Sequence, residues 1–248
     1  MATLTKQSLA YITVKGIESE TSYLERNWTI FALKELSDNA FDFLNDYYPN
    51  HPKEARKIAI RAWIDSIPTI DDKVMLRIAV RNSNVDNRQV FENLEDVFDF
   101  NQWCSTKRYQ YRETCGSLGD GLKRILGMGY ASWTSNYNHE LSFEYNQWNE
   151  PLILRFNGVE YKAFILVDDD KIQVDIKRQT RIDAPNFTEV QIALPVTTKG
   201  LWWDGTPTAT AAKEYWLAKL EEYYKIYKLV KRQTEFSFVK GNNNEEIG

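Results

Sequence analysis

The stretch from about Ser19 to Asn45 contains neither Gly nor Pro and repeats its apolar residues at helical spacing: Trp28, Phe31, Ala32, Leu36, Ala40, Phe43 and Leu44. It stops before Pro49 and Pro52, which do not continue a helix. A long amphipathic helix is predicted. Two alternating runs follow, one through Ile58, Ile60, Ala62 and Ile64, the other through Val74, Leu76, Ile78 and Val80. Pro68 and the Asp71-Asp72 pair mark the connection between them, so the pattern predicts an antiparallel hairpin.

The rest of the chain extends this frame. Leu9 to Lys15 alternates loosely and reads as an opening strand, and Glu92 to Phe100 as a short helix. Asn101 to Cys115 has no period and reads as a long loop. A short helix from Gly121 to Leu126 is expected to end at Gly127 and Gly129. Strands are predicted around Leu141–Tyr145, Leu152–Phe156, Lys162–Val167, Ile172–Ile176 and Thr188–Leu194. A second helix, about Ala209 to Lys231, follows the Trp202-Trp203-Asp204-Gly205-Thr206-Pro207 turn, and Thr234 to Val239 supplies one more strand before a linker-like polar tail. Strands packed under helices give an α+β fold, here a two-layer α/β sandwich on a mixed, mostly antiparallel sheet. Residues 1–200 form the main unit and 201–248 a helix–strand junction with the tail.

Composition narrows the function classes. With 43% hydrophobic and 14% aromatic residues the chain can build a large core. No apolar run approaches the roughly 20 residues needed to span a bilayer, and no signal-peptide pattern opens the chain. A cytoplasmic protein without membrane contact is expected. The net charge of −4 and a pI near 5.4 argue against a generally basic nucleic-acid surface. Lys107-Arg108-Tyr109-Gln110-Tyr111-Arg112 is a local basic and aromatic exception. Two cysteines and two histidines offer neither a disulfide framework nor zinc-type spacing.

Two segments carry chemistry. Glu35-Leu36-Ser37-Asp38-Asn39-Ala40-Phe41-Asp42 places three carboxylates and an amide within two helical turns. Glu35 and Asn39 share one helical face, and Asp38 and Asp42 form a second pair about a hundred degrees away. An amide oxygen can ligate magnesium without adding charge, while a neighbouring carboxylate orients a water for attack on a terminal phosphorus. Gly116-Ser117-Leu118-Gly119-Asp120-Gly121-Leu122-Lys123 puts three glycines where a loop turns into a helix. Bare backbone there can approach phosphate oxygens, and the helix start points its positive end at the anion. Taken alone, each has a plainer reading: a polar stripe on a solvated helix, or an ordinary glycine-rich turn.

In this order the two resemble the GHKL superfamily, the Bergerat-fold ATPases that include gyrase B, MutL, heat-shock chaperones and histidine kinases. The first segment matches the E-x-x-D-N-A-x-D form. Ser105-Thr106-Lys107 through Gly121 is similar to the lid and glycine box of the topoisomerase VI B subunit. Thr188-Glu189-Val190-Gln191-Ile192-Ala193-Leu194-Pro195 resembles the closing T-x-V-x-I-x-L-P strand, and Tyr223–Val239 resembles the junction into a transducer domain. The resemblance implies ATP and Mg2+ as ligands, with Glu35 activating the water and Asn39 holding the metal. It implies nucleotide contacts from Asn39, Asp42, Asn82, Lys107, Gly116, Leu118, Gly119, Asp120, Gly121, Leu122, Lys123 and Thr188.

One segment departs from the family. Where members carry D-x-G-x-G, this chain has Asn82-Ser83-Asn84-Val85-Asp86. Asn82 keeps an accepting oxygen for an adenine amino group but lacks the charge, which weakens binding by about 1 kcal/mol. Asn84 and Asp86 replace both glycines and are the residues that best tolerate positive φ. By the resemblance, the chain is an ATPase whose lid closure and homodimerisation control a DNA-acting subunit or a further C-terminal domain. The alternatives are a nucleotide-binding regulatory module without significant turnover and a protein-interaction domain with no nucleotide, in which the glycines only make turns.

Overall fold

The computed structural model describes residues 10–65, 73–84, 86, 94–100, 121–134, 150–168, 171–180, 186–197 and 209–241. Five α-helices are described: α1 (Val14–Thr21), α2 (Trp28–Tyr47), α3 (Leu94–Val97), α4 (Gly121–Thr134) and α5 (Ala209–Val230). The strands are β1 (Lys57–Ile64), β2 (Lys73–Ser83), β3 (Leu152–Phe156), β4 (Val159–Asp168), β5 (Lys171–Thr180), β6 (Phe187–Thr197) and β7 (Glu235–Lys240). They form one 7-stranded sheet in the order β5-β4-β3-β6-β2-β1-β7. Every described pairing is antiparallel except β1 with β7, so the fold is α+β on a mixed, mostly antiparallel sheet.

Alternation along the strands sends one set of side chains into a core shared with α2, α4 and α5. Ile58, Ile60, Leu76, Ile78, Leu154 and Ile192 meet Leu33, Leu44, Ile125, Met128, Trp216 and Leu220 there. The expected hairpin is β1–β2, with Ile60 opposite Val80. The β3–β4 hairpin turns on Asn157-Gly158, whose φ angles of 52° and 70° suit the tight left-handed connection that Asn-Gly favours.

The opposite face carries a charged cluster in which Arg61 and Glu189 are buried and Arg81 and Arg155 half-buried. Arg61, Arg81 and Arg155 converge on Glu189, with Arg61 Nη2 and Arg81 Nε at 2.9 and 2.8 Å from Glu189 Oε2. Register explains the convergence: Arg81 and Arg155 both stand directly across from Glu189, on β2 and β3. Arg81 also lies 3.9 Å from the Phe187 ring centroid, and Arg155 binds Glu160 and Gln191.

Four local expectations are corrected. The opening strand is helical at residues 10–12 and again in α1, where the Thr13 hydroxyl accepts from Gly16 N at 3.1 Å; this cap outweighs the β propensity of Ile12, Thr13 and Val14. The single helix from Ser19 is two. Ser22 turns left-handed at φ 59° after α1, a 3-10 turn (Glu25–Asn27) follows, and α2 starts at Trp28. Within the described part of the expected Glu92–Phe100 helix, α3 ends at Val97 instead of reaching Phe100, its last turn closed by Phe98 N on Leu94 O. Finally, α4 runs through Gly127 and Gly129 to Thr134 instead of stopping. The strand expected at Leu141–Tyr145 lies outside the described residues.

Gly127 serves packing. A methyl group placed on it would stand 1.8 Å from the carbonyl oxygen of Tyr11, a backbone atom that cannot swing aside. Gly127→Ala gains about 1 kcal/mol of helix propensity but forces backbone apart, an overpacking cost of about 3 kcal/mol. A net loss of about 2 kcal/mol in urea unfolding is expected, and a variant as stable as the wild type would refute this close approach.

Candidate functional site

The chemistry-bearing side chains gather around α2. Glu35 and Asn39 are half-buried on neighbouring turns, while Asp38 and Asp42 are buried. Lys34 Nζ donates to Glu35 Oε1 and to Asp38 Oδ2, each at 3.0 Å. Burial alone would push the Lys34 ammonium down, but its hydrogen bonds to Asp38 and Glu35 outweigh this and hold it above the ordinary lysine range. It is therefore a cation at neutral pH.

The second oxygen of Glu35 points at α4. A methyl group on Gly121, the first residue of that helix, would stand 2.7 Å from Glu35 Oε2. A side chain at Gly121 would require the Glu35 carboxylate to turn aside. The first turn of α4 also presents backbone N–H groups without helical partners and the positive end of the helix dipole. A carboxylate and the start of a helix are brought together although about eighty residues of chain separate them.

At the far end of α2 the second amide cluster forms. Asn82 and Thr188 are direct cross-strand partners on β2 and β6 and both are buried. Asn82 Nδ2 donates to Ser83 O at 3.0 Å, which leaves its carbonyl oxygen to accept. Asn84 is fully buried: its Nδ2 lies 3.5 Å from Thr188 Oγ1, and its Oδ1 accepts from the Tyr48 hydroxyl at 3.2 Å. That hydroxyl in turn accepts from Asp86 N at 3.4 Å, tying the loop after β2 to the end of α2. Asn84 does not use the positive φ expected of it, since Ser22 and Asn157 are the non-glycine residues with that geometry among those described. The Tyr48 hydroxyl and the pairing of Asn84 N with Asn186 O hold the loop instead.

The remaining expected residues divide. Leu122 packs into the core, so its backbone N–H in the first turn of α4 is what it offers. Lys123 is fully buried and already engaged within the fold, and Asp42 is likewise engaged. Lys107, Gly116, Leu118, Gly119 and Asp120 lie outside the described residues. Among the described residues no group of three His, Cys, Asp or Glu side chains is placed to hold a metal ion. No helix among them is long and apolar enough to cross a membrane.

Sequence reasoning missed Lys34 and Tyr227. The four-residue spacing of Lys34 and Asp38 was a visible signal for the first. Tyr227 reaches Asp38 from 189 residues away, which no local pattern encodes. Compared with known proteins, the chain matches no family model and no curated sequence.

Proposed function

We propose that this chain is a Mg2+-dependent ATP-binding and ATP-hydrolysing domain of the GHKL type. The contact between Glu35 Oε2 and the Gly121 position carries the reading, because it joins the acidic helix to the start of a helix preceded by glycines. In this reading the N-terminal turn of α4 seats the terminal phosphates through backbone N–H groups. Glu35 takes the proton of the water that attacks the terminal phosphorus, and the products are ADP and inorganic phosphate. Asn82 and Thr188 accept from and pack against the base at the other end of α2, so a nucleotide lies along the helix with its two ends apart. Glu35 and Asn82 thereby discriminate opposite ends of one ligand.

Mg2+ bound mainly by a triphosphate needs only one or two protein oxygens. Asn39, half-buried one turn after Glu35, supplies such an oxygen without adding charge, so the residues present fit the ion. When bound, the ion neutralises charge on the phosphate oxygens. Lid closure and homodimerisation on nucleotide, and control of a DNA-acting partner or further domain, extend the same proposal.

Calorimetric titration of the chain with a non-hydrolysable ATP analogue in the presence of Mg2+ tests it. A saturable single-site isotherm and a shift from monomer to dimer by light scattering are expected. No heat at millimolar analogue would end the nucleotide reading. Binding without phosphate release from ATP would instead select the regulatory module that does not turn over.

A further inference from the structure

Helix α5 reaches the acidic motif through the hydroxyl of Tyr227. Tyr227 Oη donates to Asp38 Oδ1 at 2.6 Å, and both side chains are buried. The other oxygen of Asp38 accepts from Lys34, whose ammonium also holds Glu35 Oε1. The result is a continuous series of hydroxyl, carboxylate, ammonium and carboxylate running from α5 to the base. Each oxygen of Glu35 has a separate neighbour, Lys34 on one side and the Gly121 position on the other. The carboxylate therefore has one orientation while Lys34 stays where Asp38 and Glu35 together hold it.

Charge on Asp38 is felt on α5 as well. The hydroxyl of Tyr223, one turn before Tyr227, is pushed up to about 12, first by burial and then by the Asp38 carboxylate. The hydroxyl of Tyr224, three residues before Tyr227, donates to Phe236 O of β7 at 2.9 Å and so ties the helix to the sheet rather than to Asp38.

We infer that Tyr227 is a positioning residue for hydrolysis: by holding Asp38 it fixes Lys34, and through Lys34 the orientation of Glu35. Hydrolysis then depends on α5 being seated, so any partner that displaces α5 slows turnover without touching the nucleotide. This inference rests on Glu35 being the base. Without the Tyr227 hydroxyl, Asp38 Oδ1 loses a donor, Lys34 is drawn toward Asp38, and Glu35 is left free to turn.

Tyr227→Phe and Tyr224→Phe form the test, because each deletes one buried hydroxyl from the same helix. Tyr227→Phe is expected to lower kcat about tenfold through misorientation, with KM and the affinity for the Mg2+-bound analogue within about twofold of wild type. Tyr224→Phe is expected to lose comparable stability and keep its kcat. Combining Tyr227→Phe with Asp38→Asn should slow the enzyme no more than Asp38→Asn alone, since both act through Lys34. Wild-type kcat in Tyr227→Phe, equal slowing by Tyr224→Phe, or additive losses in the double variant would overturn the inference and leave the role of Glu35 standing. A wild type that binds analogue but releases no phosphate would overturn the hydrolytic reading and this inference together.

Discussion

Glu189→Gln is expected to destabilise the protein by about 3 kcal/mol at neutral pH, within the range of roughly 3–5 kcal/mol for breaking a buried ion pair from one side. Glu189 has no exposed side-chain surface, and three guanidinium groups share its two oxygens. Glutamine keeps the shape and one acceptor but leaves that positive charge uncompensated inside the sheet. The loss corresponds to a drop in Tm on the order of 10 °C for a chain of this size. The effect is also pH-dependent. Burial pushes the Glu189 carboxyl up, but the charges of Arg81, Arg61 and Arg155 outweigh it and hold the group below the usual carboxylate range. A depressed folded value means the unfolded chain binds the proton first as pH falls. The contribution of Glu189 is therefore complete above the unfolded value of about 4.3 and disappears as pH falls through the lower folded value. Urea unfolding of both proteins from neutral to acid pH should show the difference between them shrinking at the acid end. A constant difference, or one below about 1 kcal/mol at neutral pH, would sink this account of the arginine cluster.

That cluster also shows where reading the sequence runs out. Arg61, Arg81, Arg155 and Glu189 alternate with apolar residues, which is the pattern of a strand with one wet face. Nothing local reveals that their charges cover each other, with Arg61 and Glu189 buried, because the pairing depends on which strands lie side by side. The apolar half of the same strands was legible, since a period of two leaves little choice of face. The long helix was legible only in part: Ser22 adopts a left-handed turn without a glycine to announce it. Gly127 failed in the opposite direction, looking like a stop when it is a point of close backbone approach. Glycine permits both, and only the neighbour across the gap decides. The site follows the same division. Glu35, Asn39 and Gly121 could be named from residue chemistry and spacing, whereas the contact between Glu35 and Gly121, the pairing of Asn82 with Thr188 and the reach of Tyr227 are products of the tertiary fold.

Glu35→Gln is expected to lower ATP turnover by roughly 100- to 1,000-fold, the share a positioned general base contributes. The substitution preserves volume and a hydrogen-bonding oxygen, and Lys34 keeps Asp38 as its second partner at 3.0 Å, so the helix and the mouth of the site should stay in place. The substituted amide cannot accept the proton of the attacking water. Neither of the other carboxylates in the motif can replace it, because Asp38 and Asp42 are both buried and engaged. In the proposed reading ground-state binding comes from the backbone of α4 and the amides near β2, so affinity for the Mg2+-bound analogue should stay within about twofold. Loss confined to kcat is the signature of an interaction made in the transition state. Wild-type turnover in this variant would remove Glu35 from the chemistry. An equal fall in turnover and in analogue affinity would assign it to holding the start of α4 rather than to proton transfer. The second result is a real competitor, since Glu35 Oε2 sits at the very position where α4 begins.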